Sequence, residues 1–478
     1  MDTNQLFIGG HWIRPFGRRS ITAVSASTGE YLGVVPEGSV PDIDRAVGAA
    51  RAAFDAPGGW PAWEPERRAA AMIRLADALD ARKEATANAV SAQNGMPISV
   101  AGFFEGMVPA ALLRYYAHLI GTTPDEELRT GLPRGKTLVR REPMGVVAAV
   151  VPWNFPQTIA FFKIAPALAA GCVVVLKPAP ETVLDSVLLA EAIDAADIPD
   201  GVINIVPGGR EVGSYLVSHP GVDKVSFTGS TAAGREVAAA CAQLLRPVTL
   251  ELGGRSAAVV LEDADLASHH EQFFMASLLN NGQACYASTR ILAPRGRYHE
   301  VVEFCTAMAR DAVVGDALDP ATQIGPLVSA RQRERVQGFI SEGLGEGAKL
   351  TTGGGRPAGL DRGWFVEPTV FADVDNASAL AQEEIFGPVL TITPYDGEDD
   401  AVRLANDSAY GLAGTVWTTD TDHGDRVARR IRTGTVGLNG YLPDLTSPYG
   451  GRKASGLGRE MGPEGLQAYQ QFQSIYHP

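Results

Sequence analysis

Cysteine is scarce in this chain: Cys172, Cys241, Cys285 and Cys305 are the four cysteines among 478 residues. So few thiols in so long a chain do not predict a disulfide framework, and no Cys-x-x-Cys or Cys/His cluster has the spacing of a zinc site. We therefore expect no metal centre, and a reducing compartment in which a reactive thiol stays reduced.

Long apolar runs and an excess of positive charge are missing as well. No apolar run reaches about 18 residues, which predicts no transmembrane helix. Residues 1–5 lack the basic start and apolar core of a signal peptide. The net charge is −14 and the pI is near 5.1, so phosphate-rich surfaces would repel the average protein surface. These absences predict a cytoplasmic protein that binds neither nucleic acid nor membranes.

What is present is the composition of an ordinary globular enzyme, with 45% hydrophobic and 20% charged residues. From residue 145 onward, short apolar runs alternate with segments of helical character. The predicted strands are Val146–Val151, Cys172–Leu176, 202–206, Lys224–Phe227, Val248–Leu250, Ala257–Leu261 and 289–293. The predicted helices are 157–170, 182–195, one near 211–218, 231–243, 265–279 and 297–311. This alternation is typical of βαβ units, so we predict an α/β fold with two doubly wound parallel sheets.

Other stretches lie outside this alternation. Residues 42–56 and 64–92 are rich in alanine with apolar residues at helical spacing, which predicts two further helices. The segments Leu128–Glu142 and Gln467–Tyr476 have β character. Gly343–Gly355 is rich in glycine and is predicted to be a surface loop.

Two stretches contain the residue types that covalent acyl chemistry needs. Cys285 follows Asn280–Ala284, and Glu251 lies in Leu250–Gly254 at the end of a predicted strand. A thiolate attacks a carbonyl, and a carboxylate activates the water that later releases the acyl group. For Cys285 alone the alternative is structural, because a single cysteine is usually a small buried hydrophobic residue.

These two stretches resemble the signature motifs of the aldehyde dehydrogenase superfamily, and other stretches similar to that superfamily occur in its order. They are Leu6–Trp12, Pro152–Pro156, Leu176–Ala179, Phe227–Ser230, Glu383–Pro388, Pro448–Lys453 and Ser455–Glu460. The resemblance covers the whole chain. It implies oxidation of an aldehyde to the carboxylic acid with NAD(P)+, through a thiohemiacetal and a thioester on Cys285 that Glu251 hydrolyses as general base.

The resemblance also implies which residues hold the cofactor: Val151, Pro152, Trp153, Lys177, Gly229, Ser230, Gly234, Leu252, Gln332, Glu384 and Phe386. Ser230 opens a helix, where N–H groups and the helix dipole receive a pyrophosphate; a tight turn without a ligand is the alternative. Lys177 is expected at the adenosine ribose, and Glu384 and Phe386 at the nicotinamide ribose and ring. Gln332 and Arg335 lie in a region that reaches the cofactor in relatives, where the match to the family is loose.

One departure from the family pattern concerns the choice between NAD and NADP. Many NAD-preferring relatives carry a glutamate three residues after the lysine, where this chain has Pro180 and then Glu181. The negative charge that repels the 2′-phosphate of NADP is missing or displaced, and Arg210 offers a cation on that side. We expect NAD, with NADP as the alternative.

By the same resemblance, the side-chain amide of Asn154 and the backbone N–H of Cys285 hold the oxyanion, and Glu460 passes a proton outward. Asn154 as a turn residue and Glu460 in a surface ion pair with Arg459 are the alternatives. Because Cys285 and Glu251 are both present, a catalytically silent member of this fold is disfavoured.

The substrate class is predicted from residues near the motifs: Phe155, Phe161, Phe162, Leu279, Ala284, Tyr286, Tyr441, Leu442 and Leu445. They are mostly apolar or aromatic, as in most small-molecule pockets. No pair of arginines or lysines is evident for a semialdehyde carboxylate, and the direction of Arg290 is open. We expect an apolar medium-chain, aromatic or terpenoid aldehyde, with a semialdehyde as the alternative.

The family pattern divides the chain into three parts. Residues 1–122 and 144–252 form a dinucleotide-binding domain, 253–455 a catalytic domain, and 123–143 with 456–478 the bridging segments. In relatives the bridging segments form a small sheet between subunits, which implies a homodimer or homotetramer.

Overall fold

The computed structural model describes residues 2–132 and 134–477. Its strands are β1 Leu6–Ile8, β2 His11–Ile13, β3 Ser20–Val24, β4 Tyr31–Pro36, β5 Glu126–Thr130, β6 Lys136–Pro143, β7 Val146–Val150, β8 Val173–Lys177, β9 Ile203–Ile205, β10 Lys224–Thr228, β11 Val248–Glu251, β12 Ala257–Val260, β13 Arg290–Pro294, β14 Lys349–Thr352, β15 Thr369–Ala372, β16 Val389–Tyr395, β17 Gly414–Trp417, β18 Gly437–Leu438, β19 Gly456–Leu457 and β20 Gln470–His477. Its helices are α1 Val40–Asp55, α2 Pro65–Asp80, α3 Lys83–Asn94, α4 Ile98–Phe104, α5 Val108–Thr122, α6 Pro156–Ala170, α7 Leu184–Ala195, α8 Arg210–Ser218, α9 Thr231–Gln243, α10 His270–Leu278, α11 Tyr298–Asp311, α12 Ala330–Gly345, α13 Ala379–Gln382, α14 Glu398–Asn406, α15 Thr421–Ala428 and α16 Gly462–Gln467.

The first sheet has the strand order β19-β11-β10-β7-β8-β9-β1-β2. Its central strands β11, β10, β7, β8 and β9 run parallel. Strands β19 and β1 pair antiparallel with β11 and β9 at the two sides, and β2 pairs antiparallel with β1. Every residue of β7 and β8 is buried, because helices cover both faces of the sheet. This sheet is the first parallel sheet that the apolar runs predict.

The second sheet has the order β14-β15-β16-β13-β12-β17-β18 and is parallel except at the edge strand β14. Alternate residues of β12 face opposite sides: Ala258 and Val260 pack in one core with α10 and α11, whereas Ala257 and Val259 pack in another with α14 and α15. Helices on both faces make this a second doubly wound sheet. The predicted α/β fold class is therefore confirmed.

The two segments of β character pair with each other. Strands β20, β6 and β5 form a separate antiparallel sheet, in which Phe472 lies opposite Arg141. Leu128, Phe472 and Tyr476 expose 56%, 60% and 79% of their surface there. A second hairpin, β3 with β4, stands apart from the large sheets.

Three sequence predictions of local structure are wrong. The single helix 64–92 is two helices, because Arg82 leaves helical geometry (φ −114°, ψ 2°) and α2 and α3 then pack on different neighbours, α5 and α4. The helix predicted to start at 265 begins at His270, since the Asp265 carboxylate accepts hydrogen bonds from Ser268 and stabilises a turn instead. Gly343–Gly355 contains the end of α12 and the edge strand β14, whose polar sequence hides its strand character.

Within residues 2–132 and 134–477, no helix has the length and apolar character needed to span a membrane.

Candidate active site

Two cavities meet at the carboxyl ends of β10 and β11, the edge where ligands bind in open parallel sheets. One is narrow, about 70 Å³, and mostly apolar; the other has about 510 Å³ and a polar wall. Both are lined by Thr228, Glu251, Leu252 and Cys285. A ligand in either cavity therefore reaches the same thiol and the same carboxylate.

Cys285 follows a tight, buried turn. Asn280 and Asn281 adopt left-handed backbone conformations, with φ of 51° and 61°, which asparagine tolerates better than most residues. A Cβ placed on Gly282 would lie 2.1 Å from the carbonyl oxygen of Gly387, so only glycine fits there. These requirements explain the Asn-Asn-Gly stretch before the cysteine.

The thiol of Cys285 is the partly exposed one, whereas Cys172, Cys241 and Cys305 are buried. Its Sγ lies 3.2 Å from the hydroxyl oxygen of Tyr449. Burial raises the pKa of Cys285 to about 12, and the hydrogen bond with Tyr449 opposes that rise. Stabilisation of the thiolate by neighbouring donors is therefore important for any nucleophilic role.

Glu251 is a buried carboxyl group, with 3% of its surface exposed. Neither of its carboxyl oxygens has a hydrogen-bond partner among the described residues. Burial, followed by the negative charge of Glu460, raises the pKa of Glu251 well above its usual range. A carboxylate of raised pKa beside a thiol is suited to accept a proton from water.

Glu460 lies in the interior, with 1% exposure, so the alternative of a surface ion pair with Arg459 is wrong. Its Oε1 accepts hydrogen bonds from Nζ of Lys163 at 2.5 Å and from Oγ of Ser226 at 3.1 Å. Lys163 was not identified from the sequence. The available signal was a lysine in the middle of the otherwise apolar helix α6.

Asn154 is buried and lines the larger cavity together with Cys285. Its Nδ2 donates one hydrogen bond to the carbonyl oxygen of Gln283 at 3.0 Å. An amide nitrogen has two N–H donors, so one remains for a ligand oxygen.

Most of the predicted cofactor residues line the larger cavity: Pro152, Trp153, Gly229, Ser230, Leu252, Gln332, Glu384 and Phe386. Lys177 lines an adjoining cavity of about 580 Å³, and both of these cavities are bordered by Ser230 and Arg331.

Two of the predicted cofactor residues, Val151 and Gly234, are not among the lining residues of these cavities in the described chain. The N–H of Val151 donates to the carbonyl of Lys177. A Cβ on Gly234 would lie 2.4 Å from Cδ2 of Leu252, so this glycine permits α9 to pack closely. Direct contact of Val151 and Gly234 with the cofactor stays a prediction.

Lys177 has the geometry of a ligand-binding ammonium. Its Nζ donates to the carbonyl oxygens of Pro178 at 2.8 Å and Gly208 at 2.7 Å. Burial lowers its pKa to about 8. Since an ammonium has three N–H groups, the third is available to a ligand.

The loop Glu384–Phe386 is positioned by α12. Gln332 donates to the carbonyl oxygen of Phe386 at 2.8 Å, and Arg335 donates to that of Glu384 at 2.7 Å. Glu384 accepts the N–H of Gly254, and burial raises its pKa to about 7. Gln332 and Arg335 therefore hold in place the loop that forms part of the cavity wall.

The wall near Pro180 has charges of both signs. Glu181 and Arg331 form an ion pair of 3.3 Å, and Arg210 pairs with Glu236 at 2.8 Å. These four charged residues and Pro180 all line the cavity that contains Lys177. The cation predicted at Arg210 is present, but a carboxylate neutralises it.

Five of the residues predicted for the substrate wall line the narrow apolar cavity: Phe155, Phe162, Tyr286, Leu442 and Leu445. Phe161, Leu279, Ala284 and Tyr441 are not among its lining residues within the described chain. Phe161 is one residue from Phe162 on α6, and the helical rotation turns it into the core. Arg290 faces away, donating to Asn376, Leu404 and Ala405.

The wall residues that sequence reasoning missed are Phe103, Phe104, Val108, Ile159, Pro443 and Tyr449. Phe103, Phe104 and Val108 come from the end of α4 and the start of α5, far from the motifs in sequence. Their only signal was a pair of adjacent phenylalanines at a helix end.

Comparisons with known proteins show the family of the chain. The model of the aldehyde dehydrogenase family matches residues 12–475. Geranial dehydrogenase from Castellaniella defragrans is 57% identical over 476 residues, which cover 100% of this chain and 99% of that enzyme. A Mycobacterium tuberculosis aldehyde dehydrogenase complexed with NAD+ superimposes with a TM-score of 0.97 at 49% identity, covering 100% and 98% of the two chains. A mutant of aldehyde dehydrogenase C from Pseudomonas syringae, complexed with NAD+ and octanal, superimposes with a TM-score of 0.95 at 41% identity. The match covers 99% of this chain and 96% of that chain. The chain therefore belongs to the aldehyde dehydrogenase family.

Proposed function

We propose that this enzyme oxidises an apolar aldehyde to the carboxylic acid, with NAD+ as hydride acceptor and Cys285 as nucleophile. The observation that carries the proposal is that Cys285 and Glu251 line both the apolar cavity and the larger polar cavity. An aldehyde in the first and a nicotinamide in the second would meet at the thiol.

The residues divide the chemistry between them. The thiolate of Cys285 attacks the carbonyl carbon, and the free N–H of Asn154 together with the backbone N–H of Cys285 stabilises the oxyanion; such donors are typically worth about 10²–10³ in rate. A nicotinamide held beside Glu384 and Phe386 would supply the hydride acceptor, and loss of the hydride would convert the thiohemiacetal on Cys285 into a thioester. Glu251 then takes a proton from water, and the hydroxide releases the acid. Glu460, which accepts a hydrogen bond from Lys163, receives that proton on its way outward.

The larger cavities fit a dinucleotide in shape and in donors. Lys177 retains one N–H for a ribose hydroxyl, and the start of α9 at Ser230 supports a pyrophosphate. Glu384 and Phe386 are the proposed contacts of the nicotinamide ribose and ring. The position of these residues in the walls of the two larger cavities supports the proposed contacts.

We propose NAD rather than NADP as the preferred cofactor. Arg210 and Arg331, the two arginines of this wall in the described chain, are each paired with a carboxylate. A 2′-phosphate would therefore meet Glu236 and Glu181 as well as the two arginines. Glu181 supplies part of the negative charge that Pro180 lacks.

The proposed substrate is a medium-chain, aromatic or terpenoid aldehyde. Among the described residues that line the narrow cavity, none is Arg, Lys or His, and the acids are Glu251 and Glu460. A semialdehyde carboxylate would be buried there without a cation, which costs free energy. The substrate in the name of the Castellaniella enzyme and the octanal bound to the Pseudomonas enzyme support this class.

The test is a panel of geranial, octanal, benzaldehyde and succinate semialdehyde, ranked by kcat/KM from the appearance of NADH. We expect the three apolar aldehydes to exceed succinate semialdehyde by at least about tenfold, because an unpaired buried charge costs more than 1.4 kcal/mol. Cys285→Ala should reduce oxidation to a few per cent or less, whereas the matched variant Cys305→Ala should retain it. Equal kcat/KM for the semialdehyde would contradict the substrate class, and an active Cys285→Ala would contradict the mechanism.

The division into a dinucleotide-binding domain, a catalytic domain and bridging segments remains our proposal, as does a homodimer or homotetramer. The exposed apolar residues of the sheet β20-β6-β5 support assembly through that sheet. Light scattering after size-exclusion chromatography would measure the mass.

A further inference from the structure

Tyr449 contacts the sulfur of Cys285, the proposed nucleophile. Its hydroxyl oxygen lies 3.2 Å from Sγ of Cys285, within hydrogen-bond distance for sulfur. The side chain is 5% exposed and lines the apolar cavity. It belongs to Pro448–Lys453, one of the stretches that resemble the superfamily.

The direction of this hydrogen bond follows from the chemistry of the two groups. Burial raises the pKa of Tyr449 well above its usual range, so the phenol keeps its proton at any working pH. A thiolate has no proton and can only accept. When Cys285 is ionised, Tyr449 is therefore the donor, and hydrogen bonds to charged acceptors are stronger than those between neutral groups.

The hydroxyl is placed by a rigid backbone. Tyr449 and Glu460 exchange two backbone hydrogen bonds, of 2.7 and 2.8 Å. The tyrosine ring packs near that of Phe162, with 6.2 Å between centroids. A Cβ on the next residue, Gly450, would lie 2.5 Å from Oε1 of Glu251. One short segment thus approaches the thiol and both carboxyl groups of the site.

We propose that Tyr449 is a catalytic residue that donates its phenolic hydrogen bond to Sγ of Cys285 and stabilises the thiolate. It acts before attack on the aldehyde and again when the acid leaves the thioester. The thiol proton passes to hydroxide or a buffer base from the solvent, and Tyr449 keeps its own proton throughout. This role rests on the proposed function of Cys285 as nucleophile.

The test compares Tyr449→Phe with the parent and with Tyr395→Phe. Tyr395 is a matched control, because its buried hydroxyl donates to the carbonyl of Val260 and touches no residue of the site. Alkylation of Cys285 by iodoacetamide and by N-ethylmaleimide would be followed at pH 7–9 by mass spectrometry of its peptide, without cofactor or aldehyde. Melting temperatures would establish that all three proteins are folded.

We expect Tyr449→Phe to slow alkylation about 3- to 10-fold with both reagents. A hydrogen bond to a charged group is worth about a factor of ten or more in the thiolate equilibrium. The greater nucleophilicity of a less stabilised thiolate, with a Brønsted coefficient of about 0.4–0.5, offsets part of this loss. Tyr395→Phe should alkylate at the parental rate. An effect confined to the larger reagent would indicate altered access and would overturn the proposal, as would an unchanged rate.

Aldehyde kinetics separate this proposal from the function on which it rests. The pre-steady-state burst of NADH with octanal should slow in Tyr449→Phe by a similar factor. If Cys285→Ala retained oxidation, the proposed function would fail whatever the alkylation result. If Cys285→Ala were inactive but Tyr449→Phe behaved as the parent, the role of Tyr449 alone would fail.

Discussion

Replacing Glu251 by glutamine tests the general base in the hydrolysis step. Glutamine has nearly the same shape as a protonated glutamic acid, but its amide cannot take a proton from water. We expect Glu251→Gln to form the thioester at close to the parental rate and to hydrolyse it slowly. Because burial raises the pKa of Glu251, the neutral amide avoids the cost of a buried charge, and the variant should melt at or above the parental temperature.

The expected size of the effect follows from the site. Removing a positioned general base typically costs about 10²–10⁴ in rate, so steady-state kcat should fall by at least about a hundredfold. Burial and the charge of Glu460 raise the pKa of Glu251, and only the ionised form accepts a proton. In the parent, hydrolysis should therefore accelerate as pH rises through that raised pKa, whereas in Glu251→Gln it should not follow this titration. Glu460→Gln removes a negative neighbour and should shift the parental profile to lower pH.

Rapid mixing with octanal and NAD+ measures both phases in one experiment. The expected trace is a burst of NADH close to one equivalent per active site, followed by slow turnover. Loss of the burst together with turnover would place Glu251 in activation of the thiol instead. Unchanged turnover would refute any catalytic role for this carboxylate.

Two further predictions concern the cofactor and stability. Pro180→Glu should raise the ratio of kcat/KM for NAD over NADP by about tenfold, because like charges repel strongly in a partly dry site. A parent that prefers NADP, with Arg210→Ala selectively weakening NADP, would reverse the cofactor proposal. Burial raises the pKa of Glu105 from 4.5 to about 8, so the parent should lose stability as pH rises between these values, by up to about 1.4 kcal/mol per unit. Glu105→Gln should lack this loss of stability, so its melting temperature relative to the parent should be higher at pH 9 than at pH 6. The same difference in melting temperature at both pH values would contradict the raised pKa of Glu105.

The sequence by itself determined the α/β class and most element positions. Continuous apolar runs such as Val146–Val150 are readable because a strand buried on both faces has no polar position. It also indicated Cys285 and Glu251, because their neighbours form recognisable local motifs. The sequence predictions were wrong where the local pattern was weak. The helix predicted over 64–92 breaks at Arg82, after which α3 packs on α4 while α2 packs on α5. The edge strand β14 was missed because its sequence is polar.

The tertiary structure alone decided which distant residues share the site. Tyr449 and Cys285 are 164 residues apart, and Lys163 and Glu460 are 297 apart, yet each pair is in hydrogen-bond contact. It also left Val151 and Gly234 outside the lining of the two larger cavities in the described chain. Periodicity and motifs report local conformation and burial, whereas contacts across hundreds of residues depend on how sheets and helices pack. The partner that each side chain meets is therefore fixed only when the chain has folded.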